Sequence, residues 1–499
     1  MATDHTPVAP DSDAEDLAQF GYSQRLKRSM TTFTSFCLAF SMIAITGTLG
    51  PLLGPALSMV GGVAFWFWVL AFIGVVWIVL VFMHMAARIP VTGYAYQWTS
   101  RITTPYYGWL VAMVGIITFT TGATSIGALF GSIVAPELGL EGTNTEIMWL
   151  GIAAVTFCFA INIVGIRYAT RFNNGVAIVE IVFTAAVALL LLGGVLFFFK
   201  SGGFGLLVDN HGVNGDNSIA IPWQNYVFAA TAPIFSLMGW EASADLAEET
   251  KDPRRSAPRA MFRAVAVCAA AGLIVMAIFI AAIPTSVPDA LEHPNMMFWI
   301  VESHFGRVTA VILELIAYAS LLGCIVANVA VATRLVYSVS RDGLLPFSEK
   351  FGKVSPRWQT PVNASIALWL MCLAVQVVGA GNIFRITSMA VIAYYLTYAL
   401  TMLGVIVGHK MGRIPEPPKG AGYFGLGKAL VPVASIGFLW AMAVVTLYLT
   451  PAENHYIIGY FAIALGMGAA LAGYAWWALK SGKAKVPVTE VTEEVSARA

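Results

Sequence analysis

Apolar stretches of about 20 residues with almost no charge recur along the chain from Ser29 to Leu479. A helix rises 1.5 Å per residue and the hydrocarbon layer of a bilayer is about 30 Å thick, so about 20 such residues cross it. The stretch from Ser29 to Met83 is long enough for two crossings, with the Gly61-Gly62 pair as the turn between them. Further crossings are expected at 105–131, 147–165, 173–199, 223–248, 260–283, 306–340, 361–380, 385–408, 429–450 and 456–479, twelve in all. Composition removes the alternative of a water-covered surface, because only 11% of the residues are charged and 58% are hydrophobic. A soluble protein of this size carries about 25% charged residues. The chain reads as an all-α polytopic membrane protein with the lipid bilayer as its solvent. A net charge of +1 offers nothing to attract nucleic acid.

Loop charge orients the spans. With the N-terminus in the cytoplasm, only Lys200, Arg307 and Arg385 of the 28 Lys and Arg fall on the outer side. The reading is therefore a multi-pass cell-membrane protein with both termini cytoplasmic. Residues 1–28 are polar and acidic, end in Arg25, Lys27 and Arg28, and lack the apolar core of a signal peptide. They are expected to form a mobile cytoplasmic tail whose end lies flat against the membrane. A transporter core is expected over 29–408, two added helices over 409–480 and a second polar tail over 481–499. Segment 200–222, rich in Gly and Asn, reads as an irregular external loop, and 284–304 as a short helix over the outer vestibule. Cys37, Cys158, Cys268, Cys324 and Cys372 all fall inside spans without paired spacing, so neither disulfides nor a metal site is inferred, and no cofactor is implied.

Two spans carry residues that oppose an unbroken helix. The first contains Ser41-Met42-Ile43-Ala44-Ile45-Thr46-Gly47-Thr48-Leu49-Gly50-Pro51, and the sixth contains Pro233-Ile234-Phe235-Ser236-Leu237-Met238-Gly239-Trp240-Glu241. Glycine favours a break entropically and proline removes a donor. The other use of such glycines is close helix packing. The two spans lie five helices apart, an odd number that inverts the second unit. Interrupted helices at matching positions of inverted halves point to a transporter site. Freed amides would face an anionic group such as a carboxylate, and freed carbonyls a cation or an ammonium.

Several runs carry a family resemblance. GWEASADLAEETKDPRRSAPRAM (Gly239 to Met261) resembles the sixth-helix signature of amino acid–polyamine–organocation permeases. TRLVYSVSRDGLLPFSEKFGKVSPRWQTPVNA (Thr333 to Ala364) resembles the end of their eighth helix and the following loop, and RIPVTGYAYQW (Arg88 to Trp98) the end of their second. LAQFGYSQRLKRSM (Leu17 to Met30) looks like the amino acid/choline transporter branch. The resemblance implies a LeuT-type fold of two inverted five-helix repeats with discontinuous helices 1 and 6, and alternating access. It puts Ala44, Ile45, Thr46, Gly47 and Thr48 at the first substrate-binding break and Ser236, Leu237, Met238 and Gly239 at the second. Trp240 is then a stacking wall or gate beside the substrate, or a packing residue. Two positions depart from the family. His84 stands where a glutamate usually precedes the Arg-Ile-Pro run, and Glu180 follows Arg171-Phe172-Asn173-Asn174 where many relatives carry a lysine thought to replace a sodium ion.

Charges at mid-bilayer are costly and usually face the protein interior. Glu241, next to the second break, and Glu180 are the candidates for coupling or gating. Their other use is to cap a half-helix or bond to a neighbouring one. Glu314 reads as a vestibule or snorkelling residue and His84 as structural, while Asp245, Glu248, Glu249, Arg341 and Asp342 are expected in salt bridges at the cytoplasmic rim. No Gly-x-x-x-x-Gly-Lys-Ser/Thr run and no His-Glu-x-x-His run occurs, which argues against an ATP-driven pump and a metalloenzyme. The expectation is a secondary transporter, not an enzyme, with a small-molecule neutral amino acid as the first choice of substrate and an amine as the second, working by proton symport, with sodium as the other coupling ion. An amine carrier of the choline, ethanolamine or polyamine type, an exchanger, a channel and a transporter-like sensor are the alternatives.

Overall fold

The computed structural model describes residues 12–26, 28–210, 221–417, 422–451 and 454–484. Among these the only β-type pairing is an isolated parallel bridge between Met30 and Thr250. Everything else regular is helical, as backbone groups in hydrocarbon must bond within their own segment. Nine segments of the described residues are long and apolar enough to cross a membrane.

A short helix, α1 (Ser12–Ala18), precedes the bundle. The first long segment, 32–86, holds α2 (Thr32–Ile43), α3 (Ile45–Val60) and α4 (Trp66–Ala86), joined through the Gly61-Gly62 turn. It is the stretch read from sequence as two crossings. Next come α5 (Tyr94–Ile102), α6 (Pro105–Glu137), α7 (Asn144–Val164) and α8 (Ile166–Phe197). A capping box fixes the start of α7, where Thr143 accepts from the amide of Glu146 and the Glu146 carboxylate accepts from the amide of Thr143.

The sixth crossing expected from sequence is split into α9 (Trp223–Ala229), α10 (Thr231–Ser236) and α11 (Ala242–Asp245), none of spanning length. It is followed by α12 (Pro253–Ala281), α13 (Val287–Leu291), α14 (Met296–Phe305) and α15 (Arg307–Arg341). Segment 284–304 thus carries two short helices instead of one. The remainder is α16 (Ser348–Phe351), α17 (Val362–Gly379), α18 (Ile383–Lys410), α19 (Leu430–Leu449) and α20 (His455–Lys480). At 26 residues α20 is of spanning length. Of the 200–222 loop, residues 211–220 lie outside the described residues, as do 1–11, 27 and 485–499 of the two tails.

The most enclosed spans are α6, α15 and α18, whereas α7, α8, α17 and α19 leave faces open. Close approach uses glycine where rings intrude: Trp440 of α19 fills the space a side chain would need at Gly74 of α4, and Trp68 does the same at Gly272 of α12. Residues of the expected mobile tail prove to be packed. Leu17, Phe20, Tyr22 and Leu26 are buried against the bundle, because their apolar bodies and one hydroxyl find partners between α5 and α15.

Candidate functional site

The first break is a single residue wide. Ala44, between α2 and α3, has φ 47° and ψ 63°, a left-handed conformation that a side chain disfavours and that stops α2 and restarts the helix as α3. The first amides of α3 have no acceptor within the helix and give that end a partial positive charge. One is already taken, because the Thr46 amide donates to Glu180 Oε1 of α8 at 2.9 Å. Thr46 Oγ1 lies 2.7 Å from Thr184 Oγ1, one turn further along α8. The second Glu180 oxygen and Ser320 Oγ of α15 are buried beside each other, neither with any other partner. Glu180 is thus a neighbour of the first break, bonded across 134 residues of sequence. Gly47 does not open onto space, since a Cβ there would lie 2.9 Å from Leu321 Cγ.

The second break is wider. Pro233 has no amide to offer the Ala229 carbonyl, α10 ends at Ser236, and Gly239 takes φ 88°. The two breaks abut. Ser236 Oγ donates to Thr48 Oγ1 at 2.7 Å, and Thr48 Oγ1 donates to the Ala44 carbonyl at 2.9 Å. Met42 lies against Gly239, with its Cε 2.7 Å from where a Cβ would stand. Ala44, Ile45, Thr46, Gly47, Thr48, Ser236, Leu237, Met238, Gly239 and Trp240 are all buried, so the ten residues form one sealed region.

Below the second break is an aromatic floor. The Trp240 ring stacks on Tyr398 of α18, with centroids 5.6 Å apart at 23°, and Phe82 of α4 meets both edge-on. Tyr398 donates its hydroxyl to Glu241 Oε2 at 2.9 Å. Glu241 Oε1, Tyr94 Oη and Trp240 Nε1 are buried with no hydrogen-bond partner. Glu241 and Glu180 share no partner: one belongs to the α10–α11 break and α18, the other to the α2–α3 break and α8. Trp240 is fully buried, so lipid packing does not describe it.

A polar layer seals the basic end of the bundle, the end bearing Arg88, Arg334 and Arg341. Two of the expected rim salt bridges form: Glu249 with Arg334 at 2.8 Å and Glu248 with Arg341 at 3.1 Å. The other two acids are hydrogen-bonded instead. Asp245 accepts the Gly93 amide at 2.9 Å, and Asp342 accepts the hydroxyls of Tyr22 at 2.8 Å and Tyr96 at 2.6 Å. The Arg341 guanidinium lies 3.6 Å from the Tyr22 ring centroid, which locks the N-terminal segment over this layer. Burial and then the Asp342 carboxylate push the Tyr22 hydroxyl up to about 12. His84 holds a loop: its Nδ1 accepts the Leu426 amide at 3.0 Å. Glu314, at the opposite end, pairs with Arg307 at 2.7 Å.

Sequence reasoning did not select Tyr94, Tyr398, Phe82 or Tyr22. The one available signal was the density of tyrosine in Tyr394-Tyr395-Leu396-Thr397-Tyr398 within an otherwise apolar span.

Comparison with known proteins gives the arrangement a family. A model of the amino acid permease family matches residues 30–472. The amino-acid permease BAT1 of Arabidopsis thaliana is 24% identical over 88% of this chain and 89% of its own length. A GABA-specific permease of Saccharomyces cerevisiae is 25% identical over 89% of this chain and 79% of its own. The serine/threonine exchanger SteT of Bacillus subtilis is 25% identical over 74% of this chain and 83% of its own. With the match running through both breaks and the polar layer, this chain belongs to the amino acid permease family, in the amino acid–polyamine–organocation superfamily.

Proposed function

We propose that this permease carries a small amino acid across the cytoplasmic membrane by alternating access, with the solute held where the two broken helices meet. The observation that carries the reading is the contact of the breaks, Ser236 Oγ to Thr48 Oγ1 at 2.7 Å. Two helix interruptions in contact put half-helix amides and free carbonyls around one point, which suits a zwitterion. In this reading the substrate carboxylate meets the first-turn amides of α3 and its ammonium meets carbonyls of 236–239 and the Glu241 side. The names of the GABA-specific and serine/threonine relatives favour a small substrate. The scaffold is twelve crossings in a LeuT-type five-plus-five inverted repeat, with 29–408 as the core, 409–480 as the added helices and both termini cytoplasmic. The bias of Lys and Arg among the loops supports that sidedness.

Coupling is assigned to a proton carried at Glu241 or Glu180. Glu241 keeps one carboxylate oxygen buried with no partner and Glu180 one with only Ser320 Oγ beside it, each a place for a proton. Sodium at Glu180 is the competing assignment. A second reading, an amine substrate, is favoured by the cluster of Phe82, Trp240 and Tyr398 rings next to Glu241, whose Oε1 has no partner, since aromatic faces attract ammonium groups.

The test is uptake by purified protein in liposomes, with a labelled panel of amino acids and amines, an inward proton gradient and no sodium. Concentrative uptake of an amino acid, abolished by a protonophore, supports the reading. Uptake of amines alone selects the second. Uptake only with an internal counter-substrate makes the protein an exchanger, and downhill flux without saturation makes it a channel. No flux with any solute or ion overturns transport and leaves a sensor.

A further inference from the structure

Away from the breaks, the outer faces of α8 and α15 enclose a crevice of about 340 Å³. Its lining is Phe172, Gly175, Val176 and Val179 from α8 and Ile316 and Ala319 from α15, with one charged residue, Arg171. The surroundings are apolar and open: Ile178, Val179, Val182, Ile312 and Leu315 are exposed large hydrophobics on the same two helices. In a membrane protein this surface faces acyl chains. Arg171 differs from the arginines that seal the basic end. Arg254, Arg334 and Arg341 each have a carboxylate partner, whereas Arg171 is exposed and has neither a hydrogen bond nor an ion pair with any described residue.

We propose that this crevice binds an anionic phospholipid, with an acyl chain between α8 and α15 and the headgroup phosphate on Arg171. The dimensions agree. Arg171 lies five residues from the start of α8, at the basic end, and Val179 is eight residues further on, about 12 Å along the axis. One leaflet of hydrocarbon is about 15 Å deep, so a guanidinium at Arg171 sits at headgroup level when the crevice runs toward mid-bilayer. Tyr168, one turn before Arg171, is also exposed, as interfacial aromatic residues are. A guanidinium with no protein partner matches a phosphate through charge-assisted, bidentate hydrogen bonds, which a zwitterionic headgroup satisfies less well because its own ammonium competes. A protein partner would bury a broad face, whereas this is a small hollow lined by seven residues, apolar but for the single charge of Arg171. The hollow flanks the site already described. Val176 and Val179 lie four and one residues before Glu180, and Ile316 and Ala319 stand in the same way before Ser320, so the lipid would contact the backs of the two helices whose fronts meet the first break.

The experiment is native mass spectrometry of the delipidated full-length protein titrated with phosphatidylglycerol or phosphatidylcholine of identical acyl chains. Wild type is expected to retain phosphatidylglycerol about tenfold more tightly than phosphatidylcholine, the scale of one charge-assisted contact. Arg171→Gln should lose the preference and Arg171→Lys should keep part of it. Arg259→Gln, an exposed arginine of α12, should not change it. Gly175→Leu adds a side chain where there is open space, so it fills the crevice without disturbing the helix and should weaken retention of both lipids. It also keeps the proposal testable if Arg171→Gln does not fold. Equal retention of the two lipids by wild type, an unchanged preference in Arg171→Gln, or unchanged retention in Gly175→Leu would overturn the proposal.

Discussion

The Thr46 amide and the Glu180 carboxylate, 2.9 Å apart, join the first broken helix to α8 at the point where α3 begins. A permanent acceptor at this helix start withdraws one donor from any solute carboxylate and ties α3 to α8.

Replacing Glu180 by Gln keeps an oxygen for the Thr46 amide but removes the titrating group. Glu180→Gln should bind substrate within about twofold of wild type while the pH dependence of uptake flattens. Glu180→Ala leaves the buried amide unpaired and should cost about 1–3 kcal/mol in stability. Uptake against pH, with a melting curve for each variant, checks both; unchanged pH dependence in the Gln variant would remove Glu180 from coupling.

Tyr398→Phe deletes the hydroxyl that donates to Glu241 Oε2 and leaves the Trp240 stack in place. The expected result is a folded protein whose uptake falls at least about tenfold, the scale of a hydrogen bond to a charged group. Titration of uptake at several substrate concentrations should show whether KM or the maximal rate carries the loss. Wild-type kinetics would mean that the Tyr398–Glu241 contact has no part in transport.

Gly239→Ala imposes a side chain on φ 88° and pushes against Met42. The left-handed backbone alone should cost about 1–2 kcal/mol. The end of Met42 can swing away, but its Cβ, 2.9 Å from the added carbon, is tied to the backbone and adds to the cost. The variant is expected to fold with a lowered Tm and to transport slowly, and Met42→Ala in the same chain should restore little.

Arg334 and Glu249 are both 1% exposed. Removing one partner leaves an unpaired buried charge, so Arg334→Ala should destabilise by about 3–5 kcal/mol. Replacing both residues by Met and Leu should recover most of that loss, as read from unfolding midpoints in detergent.

Tyr22→Ala removes both the hydroxyl to Asp342 and the ring under Arg341, and hydrogen exchange over residues 17–30 should rise at least about fivefold. Tyr22→Phe keeps the ring and should show a smaller rise. With the phenol moved from 10.0 up to about 12, its contribution is full below pH 10 and is lost as pH rises from about 10 through about 12. Protection of the segment, corrected for intrinsic exchange, should therefore not change between about pH 6 and 8.

Much of the membrane architecture was legible because hydrocarbon admits few backbone solutions. The run around Gly239 announced its interruption because glycine is a local cause with a local effect, whereas in the first run the break falls on Ala44 and Gly47, Gly50 and Pro51 lie within α3. What escaped notice depends on distance in sequence. The segment from Leu17 to Leu26 looked like a solvated tail by composition, yet Tyr22 finds Asp342, 320 residues away. Aromatic side chains within an apolar span carry no mark of which will line a floor and which will face lipid, so Tyr94, Phe82 and Tyr398 were indistinguishable from their neighbours. The acids Asp245 and Asp342 were assigned ionic partners from their charge alone, whereas enclosure favoured amide and hydroxyl donors.

Ala44 holds the first break in a left-handed conformation without being glycine. An alanine there sits about 1–2 kcal/mol above its relaxed backbone, so the sealed bundle behaves like a cocked spring whose catch is the set of bonds made by Glu180 and Ser236. In the proposed alternating-access reading, a solute or a proton that loosens that catch would be helped by the energy stored at Ala44. Ala44→Gly would slacken the spring, giving a more stable protein that is slower to leave its closed form.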